Sequence, residues 1–426
     1  MTVDYSSVDI LSDELLIENP YPYYEFLRAQ GPLWREPCHG MFVVTGYDEA
    51  VEIYRDLDTF SSCNSFGGPF HELPDVAGSD DISEVIEQYR DRFPFHDNLI
   101  TFDQPAHTAH RGLMMRLLTP KRLQENEEFM LRLAREQIDS FADRGSCEFV
   151  AEYAQPFSLL VIADLLGVPE EDRPILRREI IANGPPGALG KAPPVNLLGY
   201  LEDYFIPYIE ERRNHPRDDV FTQMALATFP DGSTPKVIDV VRAAAILFAG
   251  GQGTSARFQV GAVQLLAEMP HLQDRLRSDP ARIPEFVEEM LRWESPSKID
   301  FRMARKSTTL AGTRVPAGST LILLMNAADR DPQRFECPAD FDMDRPNSRQ
   351  HIAFGRGIHS CPGGPLVRAE AKISLERLLD RFGNVRVSDT EHGPANARRW
   401  NYVPSYISRG VETLHLELTP SNHRVK

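Results

Sequence analysis

Paired cysteines, an excess of basic charge and long uninterrupted apolar runs are all missing from this sequence, and each absence excludes a class of protein. The five cysteines, at positions 38, 63, 147, 337 and 361, are odd in number and widely scattered, and none stands in a CxxC pair. Neither a disulfide scaffold nor a zinc or dithiol centre is expected from them, so a cysteine that matters here acts alone. Lys and Arg number 46 against 63 Asp and Glu, a formal net charge of −17, which argues against general affinity for nucleic acid or anionic membrane. No stretch reaches the ~18 uninterrupted apolar residues of a spanning helix, and the N-terminal segment lacks the basic region of a signal sequence. The expectation is a cytoplasmic chain without an anchor. Repeats, low-complexity tracts and Ser/Gly linkers are absent too, and with 42% apolar and 26% charged residues the 426 residues read as one large domain, 1–426, with a sizeable core.

What is present is mostly helical spacing. Tyr21 to Gln30 reads as a helix, followed by a hairpin in which LWREP and MFVVTG flank the turn signal Cys38-His39-Gly40. Thr308 to Met325 reads as strand, turn, strand, and Tyr402 to Leu418 alternates like strands again. Asn64 to Asp81 and Gly184 to Pro194 cannot hold helix, and loops of that length are commonly lids or binding loops. Lys236 to Met269 forms one long helical pattern, apolar nearly all round, which implies burial through the middle of the molecule. At its centre stands Ala249-Gly250-Gly251-Gln252-Gly253-Thr254. An interior helix glycine costs roughly 1 kcal/mol against alanine, so these three require a reason, close helix packing being the plain one.

The densest chemistry lies in FGRGIHSCPGG, Phe354 to Gly364, where four glycines surround one cysteine ahead of the helical run PLVRAEAKISLERLLDRF. Glycines let backbone approach a bulky planar group, and Pro365 suits a first helical turn. Cys361 stands just before a helix N-terminus, where the dipole and free N–H groups favour thiolate over thiol. Such a sulfur is a good axial ligand to iron. The segment resembles the haem-binding signature of the cytochrome P-450 family, with Phe354, Gly355, Gly357, His359, Cys361 and Gly363 in place. The resemblance implies a mainly α fold with a small β region, near the N-terminus and with C-terminal strands. It is a triangular prism holding haem b between the long central helix and the helix after Cys361.

Further landmarks follow in the family's order, so the resemblance covers nearly the whole chain. Glu289 and Arg292 lie three apart on a helix ending near Pro296 and can pair. The resemblance adds Arg334, from Pro332-Gln333-Arg334-Phe335, as the third member of a structural triad. Asp103 to Arg111 is similar to the family's haem-carboxylate stretch and implies His107 and Arg111 as partners, completed by Arg302 and His359. Buried carboxylates require such groups. In the central helix the resemblance implies an oxygen-binding groove, with Gly250 opening room beside the haem and Thr254 supplying a hydroxyl toward dioxygen. The residue before that threonine is usually acidic in the family and is Gly253 here. Proton delivery is therefore expected through water, Gln252, Ser255 or an acid brought from elsewhere. Pro362 has no N–H and withholds one hydrogen bond from the sulfur.

The implied activity is that of a bacterial-type monooxygenase, placing one atom of O₂ in a C–H bond of a hydrophobic small molecule, terpenoid, steroid-like or aromatic, with electrons from NAD(P)H. By family position the pocket is lined by Phe93, Phe95, Leu99, Ile100, Ile246, Ala249, Gly250, Lys298, Ile299, Phe301 and Val403 to Ile407, mostly apolar. Lys298 is expected to point to water; turned inward, it would hold a carboxylate. The chain leaves no room for a flavin or iron–sulfur domain, so a separate ferredoxin with its reductase is the expected donor to a monomeric enzyme. It would dock on a basic patch from Arg116, Lys121, Arg122 and Arg356. Two other readings stand beside this one: a haem-thiolate enzyme that uses peroxide or rearranges an oxygenated substrate, suggested by Gly253, and a non-catalytic haem-binding sensor.

Overall fold

Helices carry most of the chain and gather around one of them. The computed structural model describes residues 4–71, 73–183, 187–191 and 198–421. The central helix spans Val237–Glu268, as its apolar pattern predicts, and Val240, Ala244, Phe248, Phe258, Val263 and Leu266 are among its buried side chains. Ala106–Met115, Gln155–Leu165, Gly199–Asn214 and Gly364–Arg381 all pack against it. Among the described residues it is the one helix long and apolar enough in composition to cross a bilayer; here other helices of the chain flank it.

Ten strands are described: β1 (Leu33–Arg35), β2 (Phe42–Val44), β3 (Phe60–Ser61), β4 (Ser146–Glu148), β5 (Ile299–Ala304), β6 (Thr308–Leu310), β7 (Thr313–Val315), β8 (Thr320–Leu324), β9 (Phe382–Val387) and β10 (His415–Pro420). The larger sheet has the order β1-β2-β8-β5-β3, and β4-β10-β9 form a second. The early hairpin is present, with Leu33 opposite Val44. Its turn is fixed by the Glu36 carboxylate, which accepts the N–H groups of Cys38, His39 and Met41 at 2.7–2.9 Å. The Thr308–Met325 pattern resolves into the β6–β7 hairpin and a third strand, β8, which crosses to the larger sheet and runs parallel to β2. Between Tyr402 and Leu418 only β10 is a strand, with isolated bridges before it. Two features interrupt pairing there: Pro404 offers no N–H, and Arg409 reaches across to the carbonyls of Ile17 and Glu18.

Of the two Gly/Pro-rich stretches, Asn64 to Asp81 is described apart from residue 72 and seats Gly68 against the Phe301 ring. In the second, residues 184–186 and 192–194 lie outside the described residues. Between them, Gly190 donates its N–H to Leu11 O at 2.9 Å, and Gly187 O accepts from Tyr406 N–H at 2.9 Å.

The ion-pair triad is present with a different third member. Glu289 and Arg292 are fully buried and meet at 2.7 Å, and the second guanidinium on Glu289 is Arg345, at 3.0 Å. Arg334 is exposed and stacks over Tyr47 at 5.0 Å. The neighbouring Phe335 takes the interior position, 5.4 Å beneath Arg292, and that orientation turns Arg334 outward. The Pro-x-Arg-Phe stretch thus contributes its aromatic ring, while the arginine comes from ten residues further on, at Asp344-Arg345-Pro346.

A second buried polar cluster joins the central helix to Gly364–Arg381. Glu370 accepts from Ser158 Oγ at 3.0 Å and Gln259 Nε2 at 3.2 Å. Gln259 Oε1 accepts from Ser374 Oγ at 2.7 Å, and Ser374 Oγ from the Tyr153 hydroxyl at 2.8 Å. Burial pushes the Glu370 carboxyl up to about 8, with the hydroxyls of Ser158 and Ser255 opposing the shift and no cation facing it.

Two outcomes are expected. Removing one partner of a buried pair costs about 3–5 kcal/mol, whereas an exposed stacked cation contributes about 1 kcal/mol or less. Arg345→Leu should therefore lower the denaturation midpoint far more than Arg334→Leu, measured by urea titration. Folded Glu370 keeps its proton up to about 8 while the unfolded chain loses it near 4.5, so stability is lost as pH rises through that interval. Melts of Glu370→Gln should show a smaller fall in Tm between pH 5 and pH 8 than the parent.

Candidate active site

The cysteine loop is built on close backbone approach. Gly357 has φ +70°, and a Cβ there would stand 2.4 Å from Tyr54 O, so no other residue fits. Cys361 N–H donates to Phe354 O at 2.8 Å, and Arg356 fastens the loop to the carbonyls of Gln350 and His351 at 2.6 and 2.8 Å. Phe354 lies beneath Arg368, 4.8 Å from its ring centre. The helix Gly364–Arg381 starts with Pro365 in its first turn. Cys361 keeps an accessible face. Burial of the sulfur pushes the thiol up, and the N–H groups of Gly363 and Gly364, with Arg111 and Arg368, pull it down without overcoming burial. The helix end pulls in the expected direction, but the expectation that it favours thiolate over thiol is not met, because burial outweighs it; a bound cation would supply the rest.

Beside this loop stand the four proposed partners of the haem carboxylates. The rings of His107 and His359 lie 4.2 Å apart. Both ring nitrogens of His107 and Nε2 of His359 are buried without a hydrogen-bond partner. Burial, reinforced by Arg111, holds His107 down at about 4, and burial with Arg302, His107 and Arg111 holds His359 at about 2. Both are neutral near pH 7, so the positive charge falls to the two arginines. Arg111 donates to Ser360 O at 2.8 Å; Arg302 pairs with Asp300 at 3.0 Å and stacks over Tyr54 at 5.1 Å. Buried polar atoms are ordinarily satisfied, and three unpartnered ring nitrogens beside two guanidiniums suit a group bearing carboxylates. The donor set fits haem.

The three glycines in the middle of the central helix have three separate causes. A Cβ on Gly250 would meet nothing within 4 Å, on Gly251 it would touch Ile162 at 3.3 Å, and on Gly253 it would meet the Arg257 guanidinium at 3.1 Å. The first opens space, the second permits close helix packing, and the third leaves room for an arginine one turn on. Thr254 Oγ1 donates to Gly250 O at 2.5 Å.

Gly250, Gln252, Gly253 and Thr254 line a cavity of about 600 Å³, together with Phe95, Ile246, Ala249, Val403 and Ile407. These members of the expected pocket are brought together. Ser255 is not among the lining residues: it is buried and turned toward Glu370. Phe93 packs with Cys63, Ile82 and Met303, and Leu99 lies in the main core with Ile100 against it. Ile299 and Phe301 are buried on β5 in the sheet's own cluster. Strand alternation explains the last two, since both share the face of β5 covered by the N-terminal segment. Lys298 points neither to water nor into the cavity. It is buried, donates to Ser405 O at 2.6 Å, and burial with Arg409 nearby pulls it down to about 7. Of the basic candidates, Arg116, Arg122 and Arg356 each spend an N–H group on a carbonyl, and Arg116 and Lys121 are the exposed ones.

Several lining residues escape the family positions: Phe66, Leu159, Arg177, Arg257 and Glu412. Arg257 was within reach of helical spacing, four residues after Gly253 on the same face. Phe66 and Glu412 come from irregular segments whose course no periodicity gives.

Comparison with known proteins agrees with this geometry. A family model described as Cytochrome P450 matches residues 195–399. Cytochrome P450 144 of Mycobacterium tuberculosis is 32% identical over 94% of this chain and 89% of its own. In structure, the substrate-free Mycobacterium marinum cytochrome P450 CYP150A6 superposes with a TM-score of 0.91 at 49% identity, covering 98% of this chain and 100% of that one. CYP109E1 from Bacillus megaterium in complex with testosterone gives a TM-score of 0.76 at 27% identity, covering 94% and 99%. With these relatives spanning nearly its whole length, and with a cysteine loop and carboxylate-binding cluster that fit haem, the chain belongs to the cytochrome P450 family of haem-thiolate monooxygenases.

Proposed function

We propose that residues 1–426 form a single-domain enzyme that hydroxylates a hydrophobic small molecule, with Cys361 as the axial ligand of haem b. The observation that carries this reading is the juxtaposition of the accessible Cys361, backed by two N–H groups, with the unpartnered His107 ring, the unpartnered Nε2 of His359 and the guanidiniums of Arg111 and Arg302. When bound, haem supplies O₂ activation, with one oxygen atom entering a C–H bond and the other leaving as water at the expense of two electrons and two protons. The chain's own residues do the rest. Gly363 and Gly364 donate to the sulfur, and Pro362 withholds a third N–H, which leaves more electron density on it. His107, His359, Arg111 and Arg302 take the two carboxylates. Gly250 opens the wall, and Thr254 holds a hydroxyl proton on that wall, given to Gly250 O.

No acid precedes Thr254, and Ser255 faces away. Glu412, exposed and lining the same cavity as Gln252 and Thr254, is the acid from elsewhere that can exchange protons with water in this space. The apolar lining favours a terpenoid, steroid-like or aromatic compound, and a relative that binds testosterone supports that class. The electrons come from NAD(P)H through a reductase and a ferredoxin to a cytoplasmic monomer; Arg116 and Lys121 are the exposed remnant of the docking patch.

The reduced, CO-bound difference spectrum of the purified protein tests the ligand. A strongly red-shifted Soret band that Cys361→Ser abolishes is expected, and a band at the shorter wavelength of histidine ligation would overturn the assignment. Substrate-dependent NAD(P)H consumption with a surrogate ferredoxin excludes the sensor reading; turnover with peroxide and no reductase would move the chain to the peroxide-using class.

A further inference from the structure

The cavity wall carries a cation with nothing to balance it. Arg257 lies on the central helix, three residues after Thr254, and borders the 600 Å³ cavity. It has no ion pair and no hydrogen bond to any described residue, and burial alone acts on its guanidinium, with no acid raising it. The guanidinium nevertheless stays charged in proteins, and the side chain is half-buried, so its charge is partly withdrawn from water with no counter-ion beside it. The surrounding acids are otherwise engaged or out of reach. Glu294 receives Arg409 and the Tyr21 hydroxyl, Glu268 has Arg398 as its cation, and Glu412, on the same cavity wall, lies beyond ion-pair distance.

The fold also makes room for this side chain. A Cβ on Gly410 would stand 3.1–3.3 Å from the Arg257 stem, and one on Gly253 would stand 3.1 Å from its guanidinium. Two glycines, one on the helix and one in the C-terminal segment, thus cradle the arginine from stem to head. The rest of the wall is largely apolar, with Phe66, Phe95, Leu159, Ile246, Val403 and Ile407 prominent. Two guanidiniums border this wall, Arg177 and Arg257. Arg177 is exposed, whereas Arg257 is the one seated between two glycines, one turn from Thr254. A planar cation so placed at the edge of an apolar chamber is the complement of a molecule with an apolar body and a single carboxylate, which a guanidinium holds by two parallel N–H donors.

We propose that the cavity is the binding site of an amphipathic monocarboxylic acid, with Arg257 holding its carboxylate and the apolar wall its body. The proposal rests on the haem-thiolate reading and narrows its substrate class: the anionic end of the substrate is fixed about one helical turn from Thr254. This is the role that an inward Lys298 would have had, and Lys298 is occupied by Ser405 O.

The test uses haem-loaded protein whose CO-difference spectrum has first shown thiolate ligation, so that failure of the haem reading is seen separately. Dodecanoate and methyl dodecanoate are titrated by equilibrium dialysis and by the Soret shift. A charge-assisted contact corresponds to roughly tenfold or more in affinity. The acid should bind at least tenfold tighter than the ester to the parent. Arg257→Gln should lose that preference with ester affinity unchanged, and Arg257→Lys should retain part of it. No binding of dodecanoate, equal affinity for acid and ester, or undiminished acid affinity in Arg257→Gln would overturn the proposal, as would loss of the preference in Arg177→Gln instead. Should Arg257→Gln fail to fold, the parent's acid-to-ester ratio and the Lys variant decide the matter.

Discussion

A carboxylate and a guanidinium buried in protein can persist there only together, and the position of the cysteine loop follows from that requirement. Arg292, pinned by Glu289, gives its remaining N–H groups to the carbonyls of Asp329, Pro338 and Asp340. Asp329, itself fully buried, accepts the Ile352 N–H at 2.7 Å. Ile352 O in turn accepts from Gly355 N–H at 2.8 Å. Three hydrogen-bonded steps connect an ion pair on one helix to the loop that presents Cys361. The chain between residues 329 and 361 has little regular structure of its own, so this relay stands in for a sheet or helix as its scaffold.

The same economy of charge organises the rest of the site. Groups that carry structure are satisfied by protein: Lys298 by Ser405 O, Arg356 by two carbonyls, Glu370 by hydroxyls and an amide. Some of the groups left unsatisfied stand where a ligand would sit, while others, such as Asn126 Oδ1 and Asn326 Oδ1, are scattered through the interior. The His107 ring and Nε2 of His359 are unpartnered beside the cysteine loop, and Arg257 at the cavity.

Much of this was legible in the sequence because it is local. Helical periodicity placed the central helix within a residue of its ends, the Cys-His-Gly turn marked the first hairpin, and glycine spacing singled out the cysteine loop. What periodicity cannot give is which side of a segment faces inward when the segment is irregular. Arg334 and Arg345 flank the same bend, and only the direction of Phe335 decides between them. Likewise Ile299 and Phe301 are apolar residues on a strand with two covered faces, so their chemistry alone does not say which face meets the cavity. Lys298 was ambiguous for a different cause: its partner is a backbone carbonyl 107 residues away, a contact that leaves no mark on side-chain pattern.

The C-terminal segment and the stretch around Gly187 are tied into one piece. Tyr406 donates its N–H to Gly187 O at 2.9 Å, Ala188 bridges to Ser405, and Ile407 fills the place a Cβ on Gly187 would take, at 2.6 Å. Val403 and Ile407 also form part of the cavity wall. The width of the chamber and the setting of its neighbouring loop are therefore a single mechanical variable. A substitution at Gly187 or Ala188 that shifts this contact reshapes the wall, and a bulkier residue at position 407 displaces the Gly187 backbone in turn.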